Sequence, residues 1–156
     1  CGASDDGNFG DSKNPSVHVV QNAVRGAMGL EPFFLTCSQV NTRDNTPIRD
    51  YVNVEDLNVA HIKALELLLN GKGNLIINLG TGKGNSVLEV IRAVERITGS
   101  ELAINKGVNR EGEYSQMVAS NRKAKKILRW EPKRNLKDSV RALVRWYSNC
   151  PDGWKE

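Results

Sequence analysis

The sequence predicts an α/β fold in which short strands alternate with helices, and three observations carry that prediction. Two short apolar runs of strand length stand apart, Phe33-Phe34-Leu35-Thr36-Cys37 and Leu75-Ile76-Ile77-Asn78-Leu79. Other segments repeat apolar residues every three or four positions, the period of a helix packed on one face. Gly, Pro and Asn separate the two kinds of segment. No internal repeat, heptad array or low-complexity tract is present, and 156 residues is about one domain's worth of chain.

Taken in order, residues 1–16 are rich in Gly, Asp, Asn and Ser and read as an irregular entry loop ending beside Pro15. A helix is expected from Ser16, with Val17, Val20, Val24 and Ala27 on one face and Gly29 at its stop. The aromatic run at 33–37 reads as a strand, and Gln39 to Pro47 as polar loop. Tyr51-Val52-Asn53-Val54 starts extended. A helix follows directly, with Leu57, Ala60, His61, Ala64, Leu65 and Leu68 on one face and Gly71 beyond its end. His61 is expected there as a packed or capping residue.

The continuous apolar run 75–79 fits a buried strand. A glycine loop (Gly80, Gly82, Gly84) then leads to Ser86, whose spacing to Glu89 is that of a capping box. Val87, Val90, Ile91, Val94 and Ile97 repeat at helical spacing until Gly99. Residues 102–106 suit a further strand. Ser120 would cap a short basic helix running to about Leu128, before Pro132. Leu136, Val140, Leu143, Val144 and Tyr147 form the stripe of a last helix.

Composition is that of an ordinary globular chain, 39% hydrophobic and 26% charged, with a formal net charge of +4. This mild basicity is compatible with an anionic ligand but names none. No apolar stretch approaches the length of a membrane span. The three cysteines, Cys1, Cys37 and Cys150, match no metal site or compact disulfide framework, which points to a reducing, cytoplasmic setting. Cys37, inside an apolar run, is expected to be a buried small hydrophobe. The chain starts without Met and without a signal pattern, in what reads as a loop entered halfway.

Four motifs bear on chemistry. Gly80-Thr81-Gly82-Lys83-Gly84-Asn85 stands between a strand and a helix, but its sixth position is Asn85, so the dinucleotide fingerprint fails. Lys83 is not followed by Ser or Thr, so the P-loop pattern fails too, and a tight structural turn is the favoured reading. Arg49-Asp50-Tyr51 at the mouth of a strand suits an anion gripped by the guanidinium and oriented by Asp50, or simply a surface ion pair. Arg110-Glu111-Gly112-Glu113 offers a cation, a flexible Gly and a carboxylate in one loop. Residues 122–134 hold seven Lys and Arg beside Trp130, but no nucleic-acid-binding motif accompanies them, so a solvated helix face is favoured over nucleic-acid binding. No Ser-His-Asp, paired-carboxylate or metal-ligating constellation can be assembled, and neither catalytic nor metal residues are assigned.

These segments, read in order, resemble the UDP-glucose 4-epimerase family, within the extended short-chain dehydrogenases/reductases. The resemblance runs through Gly2-Ala3-Ser4, Gly10-Asp11, His18-Val19-Val20, Ile48-Arg49-Asp50-Tyr51-Val52-Asn53-Val54-Glu55-Asp56-Leu57, Ala60-His61, Asn78 to Gly84, Ser86-Val87, Arg110-Glu111-Gly112, Lys123-Ala124, Trp130-Glu131-Pro132 and Pro151-Asp152-Gly153. It covers essentially the whole chain but only the C-terminal half of the family's length.

The resemblance implies a single nucleotide-sugar-binding lobe over residues 1–156, without the Rossmann domain that binds NAD. It implies that Arg49 and Arg110 contact the diphosphate and that Glu113, where the family has Asp, reaches the ribose hydroxyls. His18 and Val19 match a helix start touching the diphosphate, and Phe34, Leu35 and Thr36 match a strand lining the uracil. There the family ends in Phe-Gly, whereas this chain has Thr36-Cys37, which removes an aromatic surface. The family's glycine fingerprint, Tyr-x-x-x-Lys pair and catalytic hydroxyl all precede the matched region. Tyr51, Tyr114 and Tyr147 are followed four residues on by Glu55, Val118 and Pro151.

The expectations are therefore a UDP-sugar ligand, no cofactor held by this chain, and NAD only with an N-terminal domain. That domain as a partner chain, or self-association as a dimer, would cover the apolar surface the lobe presents. Related dehydratases and decarboxylases share the lobe. A free-standing, non-catalytic binding module is the alternative, and a nucleic-acid binder through 122–134 a more distant one.

Overall fold

The computed structural model describes residues 1–12 and 15–154. Three helices form its centre: α1 (Val19–Ala27), α3 (Val87–Thr98) and α5 (Leu136–Asn149), with α1 packed on both α3 and α5, and α3 on α5. The sequence stripes are what meet there: Val20 and Val24, Val90 and Val94, Val140 and Leu143 are all buried in one cluster. Trp146 and Tyr147 close it from α5.

Each helix is bounded as its residues dictate. In α3 the Ser86 hydroxyl accepts from the Glu89 N–H (3.1 Å) while the Glu89 carboxylate accepts from the Ser86 N–H (3.0 Å), and Gly99 ends the helix at φ +71°. Asn135 and Asp138 build an equivalent box at the start of α5. The α1 terminus is a Schellman turn. Leu30 N–H donates to the Arg25 carbonyl (2.9 Å) and Gly29 N–H to that of Gly26 (3.1 Å). The helix starts at Val19, three residues later than Ser16, because His18 is still extended and supplies no side-chain cap.

Strands are short. β1 (Phe33–Leu35) runs parallel to β4 (Ile104–Lys106). β2 (Ile48–Arg49) is the middle of a second sheet, antiparallel to β3 (Asn85–Ser86) and parallel to β5 (Gln116–Met117). The ladder thus falls on Ile48–Arg49 and not on Tyr51–Val54, where Asn53 caps α2 (Val54–Leu69) by accepting from Glu55 N–H at 2.8 Å. Gly84 lets β3 approach: a Cβ there would lie 2.3 Å from a methyl of Ile48.

The entry loop has no helix or strand among its described residues, yet α5 pins it. Trp146 Nε1 donates to the Asp11 carbonyl at 3.2 Å, and a Cβ on Gly10 would meet that indole at 2.5 Å. A smaller cluster of Ala60, Ala124, Leu128 and Trp130 joins α2 to α4 (Arg122–Leu128). Asn121, not Ser120, stands at the α4 start, and the Ser120 hydroxyl accepts instead from Arg122 Nε (3.3 Å).

Two expectations are corrected here. Residues 75–79 form no strand: among the described residues no strand pairs with them, Ile77 and Leu79 pack against the α2–α4 cluster, and Ile76 is 87% exposed. The predicted apolar face of α2 is buried only at Ala60. His61, Leu65 and Leu68 are exposed, and His61 Nδ1–H donates to the Leu57 carbonyl at 2.7 Å. No helix among the described residues is long and apolar enough to cross a membrane.

Candidate functional site

The start of α1, the end of β1, the middle strand β2 and the loop after β4 converge on one cleft of about 170 Å³. It is lined by His18 and Val19 from α1, by Phe34, Leu35 and Thr36 from β1, by Arg49 from β2, and by Arg110 and Glu113 from the loop. All eight residues assigned to ligand binding from the sequence therefore line one cleft.

Local structure explains the convergence. β1 ends at Leu35, where the Leu35 carbonyl accepts from Gly107 N–H (2.9 Å) and the Thr36 carbonyl from Arg110 N–H (3.0 Å). Those bonds hold the loop carrying Arg110 and Glu113 against the strand. Ser38 fastens the same loop through the Asn109 side chain, with its N–H donating at 3.1 Å and its hydroxyl at 3.0 Å.

Within the cleft the Arg49 fork is divided. One arm donates to its own Ile48 carbonyl at 2.8 Å and the other to the Glu113 carboxylate. Both side chains stay about one-fifth exposed, so the pair faces the cleft opening and is not sealed in the interior. Glu113, expected on its own at the ribose, is thus Arg49's ion-pair partner. Arg110 is exposed and pairs with no carboxylate among the described residues, leaving the cleft one guanidinium that is not internally neutralised.

Asp50 points the other way, as adjacent residues on extended backbone do. Its carboxylate accepts from Thr81 N–H (2.9 Å), Thr81 Oγ1 (2.6 Å), Gly82 N–H (3.0 Å) and Ala119 N–H (3.3 Å). Asp50 orients the glycine loop and not an anion. The loop's N–H groups at Thr81 and Gly82 are consumed by that carboxylate, so it does not fit a cofactor's pyrophosphate, and no step through NAD is derived from this chain.

Tyr51 and Cys37 also line the cleft, although the sequence did not assign them to it. Tyr51 follows Arg49 by two residues, the spacing that returns a side chain to the same face, and that was the available signal. Its hydroxyl is buried with no hydrogen-bond partner among the described residues. Burial, then the nearby Cys37, pushes its pKa up to about 12. Cys37 is only half-buried, unlike the fully packed residue expected, because β1 ends before it and turns it to the cleft edge. Burial raises its thiol pKa and Glu113 raises it further, against the opposing pull of Arg110 and Arg49.

The basic stretch 122–134 has partly committed side chains. Lys123 Nζ donates to the Ile76 carbonyl (2.6 Å), Lys125 pairs with Glu131, and Arg134 pairs with Asp5 (2.5 Å) and the buried Asp56 (2.8 Å). Among the described residues no group of three or more His, Cys, Asp or Glu is placed to hold a metal ion.

No family model matches the chain. A UDP-glucose 4-epimerase from Lactobacillus helveticus is 34% identical over 158 residues, an alignment covering 100% of this chain and 48% of the relative. A crystal structure of a UDP-glucose 4-epimerase superposes with a TM-score of 0.92 at 35% identity, covering 99% of this chain and 48% of that one. The Bifidobacterium longum UDP-glucose 4-epimerase, solved in complex with NAD+ and UDP, gives 0.90 at 29% identity over 98% of this chain and 46% of its own. The chain spans about half the length of the relatives it matches. In sequence and in fold it is related to the UDP-glucose 4-epimerases, matching the C-terminal half of their length.

Proposed function

We propose that residues 1–156 are one UDP-sugar-binding lobe and that the cleft between α1, β1, β2 and the 107–113 loop takes the nucleotide. The observation that carries this is the convergence of eight residues from four separate segments on one opening, two of them arginines. A diphosphate presents about two negative charges, and two guanidinium forks approaching from different elements match it. An arriving diphosphate competes with Glu113 for Arg49. The displaced carboxylate is then free to accept from ribose hydroxyls. Phe34, 53% exposed at the cleft, offers a face to the uracil.

The Tyr-x-x-x-Lys pair that performs proton transfer in the family has no counterpart in these residues, so binding is assigned to this chain and turnover is not. Within the same proposal, an N-terminal Rossmann polypeptide or a second copy covers the exposed apolar face of α2 and 75–79. The competing reading, a free-standing non-catalytic module, draws on Thr36-Cys37 and on the internal Arg49–Glu113 pair.

Calorimetry with UDP and UDP-glucose tests the site. Micromolar binding to the unaltered chain is expected, and Arg49→Ala should weaken it by on the order of 2–5 kcal/mol, roughly thirtyfold or more, by analogy with truncated charge pairs. Absence of heat with either ligand at concentrations suited to micromolar affinity overturns the nucleotide-sugar reading.

A further inference from the structure

A second and larger cleft, about 700 Å³, opens between α3, the residues leading into it and the start of α5. Its walls carry Arg43, Lys83, Arg92, Arg96 and Lys137 against a single carboxylate, Glu89. That carboxylate is already committed, accepting from Arg43 Nε (2.9 Å) and the Ser86 N–H (3.0 Å). Arg43 holds it below the usual carboxylate range. The head groups of Lys83, Arg92, Arg96 and Lys137 make no hydrogen bond or ion pair with any described residue.

Four uncompensated cations around one depression raise the local concentration of anions. Arg92 and Arg96 lie one helical turn apart on α3 and so share a face, which places two forks side by side. The lining contains no aromatic side chain, so no base can stack there. The cations also ring a depression instead of following a stripe, unlike a surface that tracks a nucleic-acid backbone. We infer that this cleft binds a small, multiply charged phosphate compound, a polyphosphate or a bisphosphorylated metabolite, through Arg92, Arg96, Lys83 and Lys137. The site is separate from the nucleotide cleft and does not rest on the UDP reading.

Inorganic tripolyphosphate is the probe, titrated calorimetrically at low ionic strength into the full chain. The Arg49→Ala/Arg110→Ala variant removes the other arginine cluster and should retain binding at one site. Arg92→Ala/Arg96→Ala should weaken it about tenfold or more, while leaving the circular dichroism spectrum and the UDP titration unchanged. Four results overturn the inference. They are no binding by the Arg49→Ala/Arg110→Ala variant, unchanged affinity in Arg92→Ala/Arg96→Ala, equal heat from sulfate at matched ionic strength, and tighter, steeply salt-dependent binding to a short DNA duplex.

Discussion

Arg49 occupies the middle strand of a three-strand sheet, and its immediate neighbours divide the work around it. Arg49 faces the cleft, Asp50 faces the glycine loop, and Tyr51 returns to the cleft, the alternation that extended backbone imposes. That alternation is the sequence signal that places Tyr51 on the cleft, whereas Asp50, expected beside the anion, turns to the glycine loop. What sequence could not show was the Arg49–Glu113 pair, because 64 residues separate its members and the loop is brought in by bonds to Leu35, Thr36 and Ser38. The pair has a measurable consequence at Cys37. Glu113 is a negative charge near the thiol and raises its pKa, after burial itself. Glu113→Gln removes that charge and leaves both arginines, so the thiol pKa should fall and more thiolate should be present at mildly alkaline pH. Alkylation of the Cys37 peptide by iodoacetamide, followed by mass spectrometry, should run faster in Glu113→Gln than in the unaltered chain. An equal rate would show that Glu113 does not act on Cys37.

Among the elements, the helices were the more legible, while of the strands only those at 33–37 and 102–106 were, for a physical reason. A helix satisfies its backbone within itself, so the Ser86–Glu89 spacing and the stripe from Val87 to Val94 defined α3 almost completely. A strand needs a neighbour. Phe33–Leu35 found one in β4, whereas the equally apolar 75–79 did not and stays outside any ladder. The Ser86 hydroxyl also shows how one cap can serve two elements. It accepts from Glu89 N–H at 3.1 Å, donates to the Asp44 carboxylate, and is completely buried. Ser86→Ala removes the cap and leaves Asp44 without that donor. A loss of about 2 kcal/mol is expected, at the upper end for a cap. Urea unfolding should show a lower midpoint with an unchanged slope. A midpoint equal to that of the unaltered chain would mean that the hydroxyl contributes nothing net.

At the scale of the whole molecule, the two clusters are unequally finished. The helical centre is closed on all sides, with Val24, Val90, Val94, Val140 and Leu143 fully buried. The cluster under α2 is open, with Leu68 and Leu75 lining a hollow beside it at 53% and 48% exposure, and Ile62, Leu65, Leu69 and Ile76 are also exposed on α2 and the segment after it. Relatives that share the fold extend to about twice this length. Contiguous exposed apolar surface on a protein of this size drives association. Light scattering coupled to size-exclusion chromatography should therefore show a mass that rises with protein concentration. Leu65→Glu/Ile76→Lys places charges on exposed apolar positions without touching the cleft around Arg49, and should shift the chain to a monomer while leaving the proposed UDP binding unchanged. That separation of effects matters. If association and UDP binding were lost together, the two regions would be coupled through the 80–84 loop that Asp50 holds beside Arg49. A concentration-independent monomer in the unaltered chain would instead show that the open face of α2 is tolerated in water as it stands.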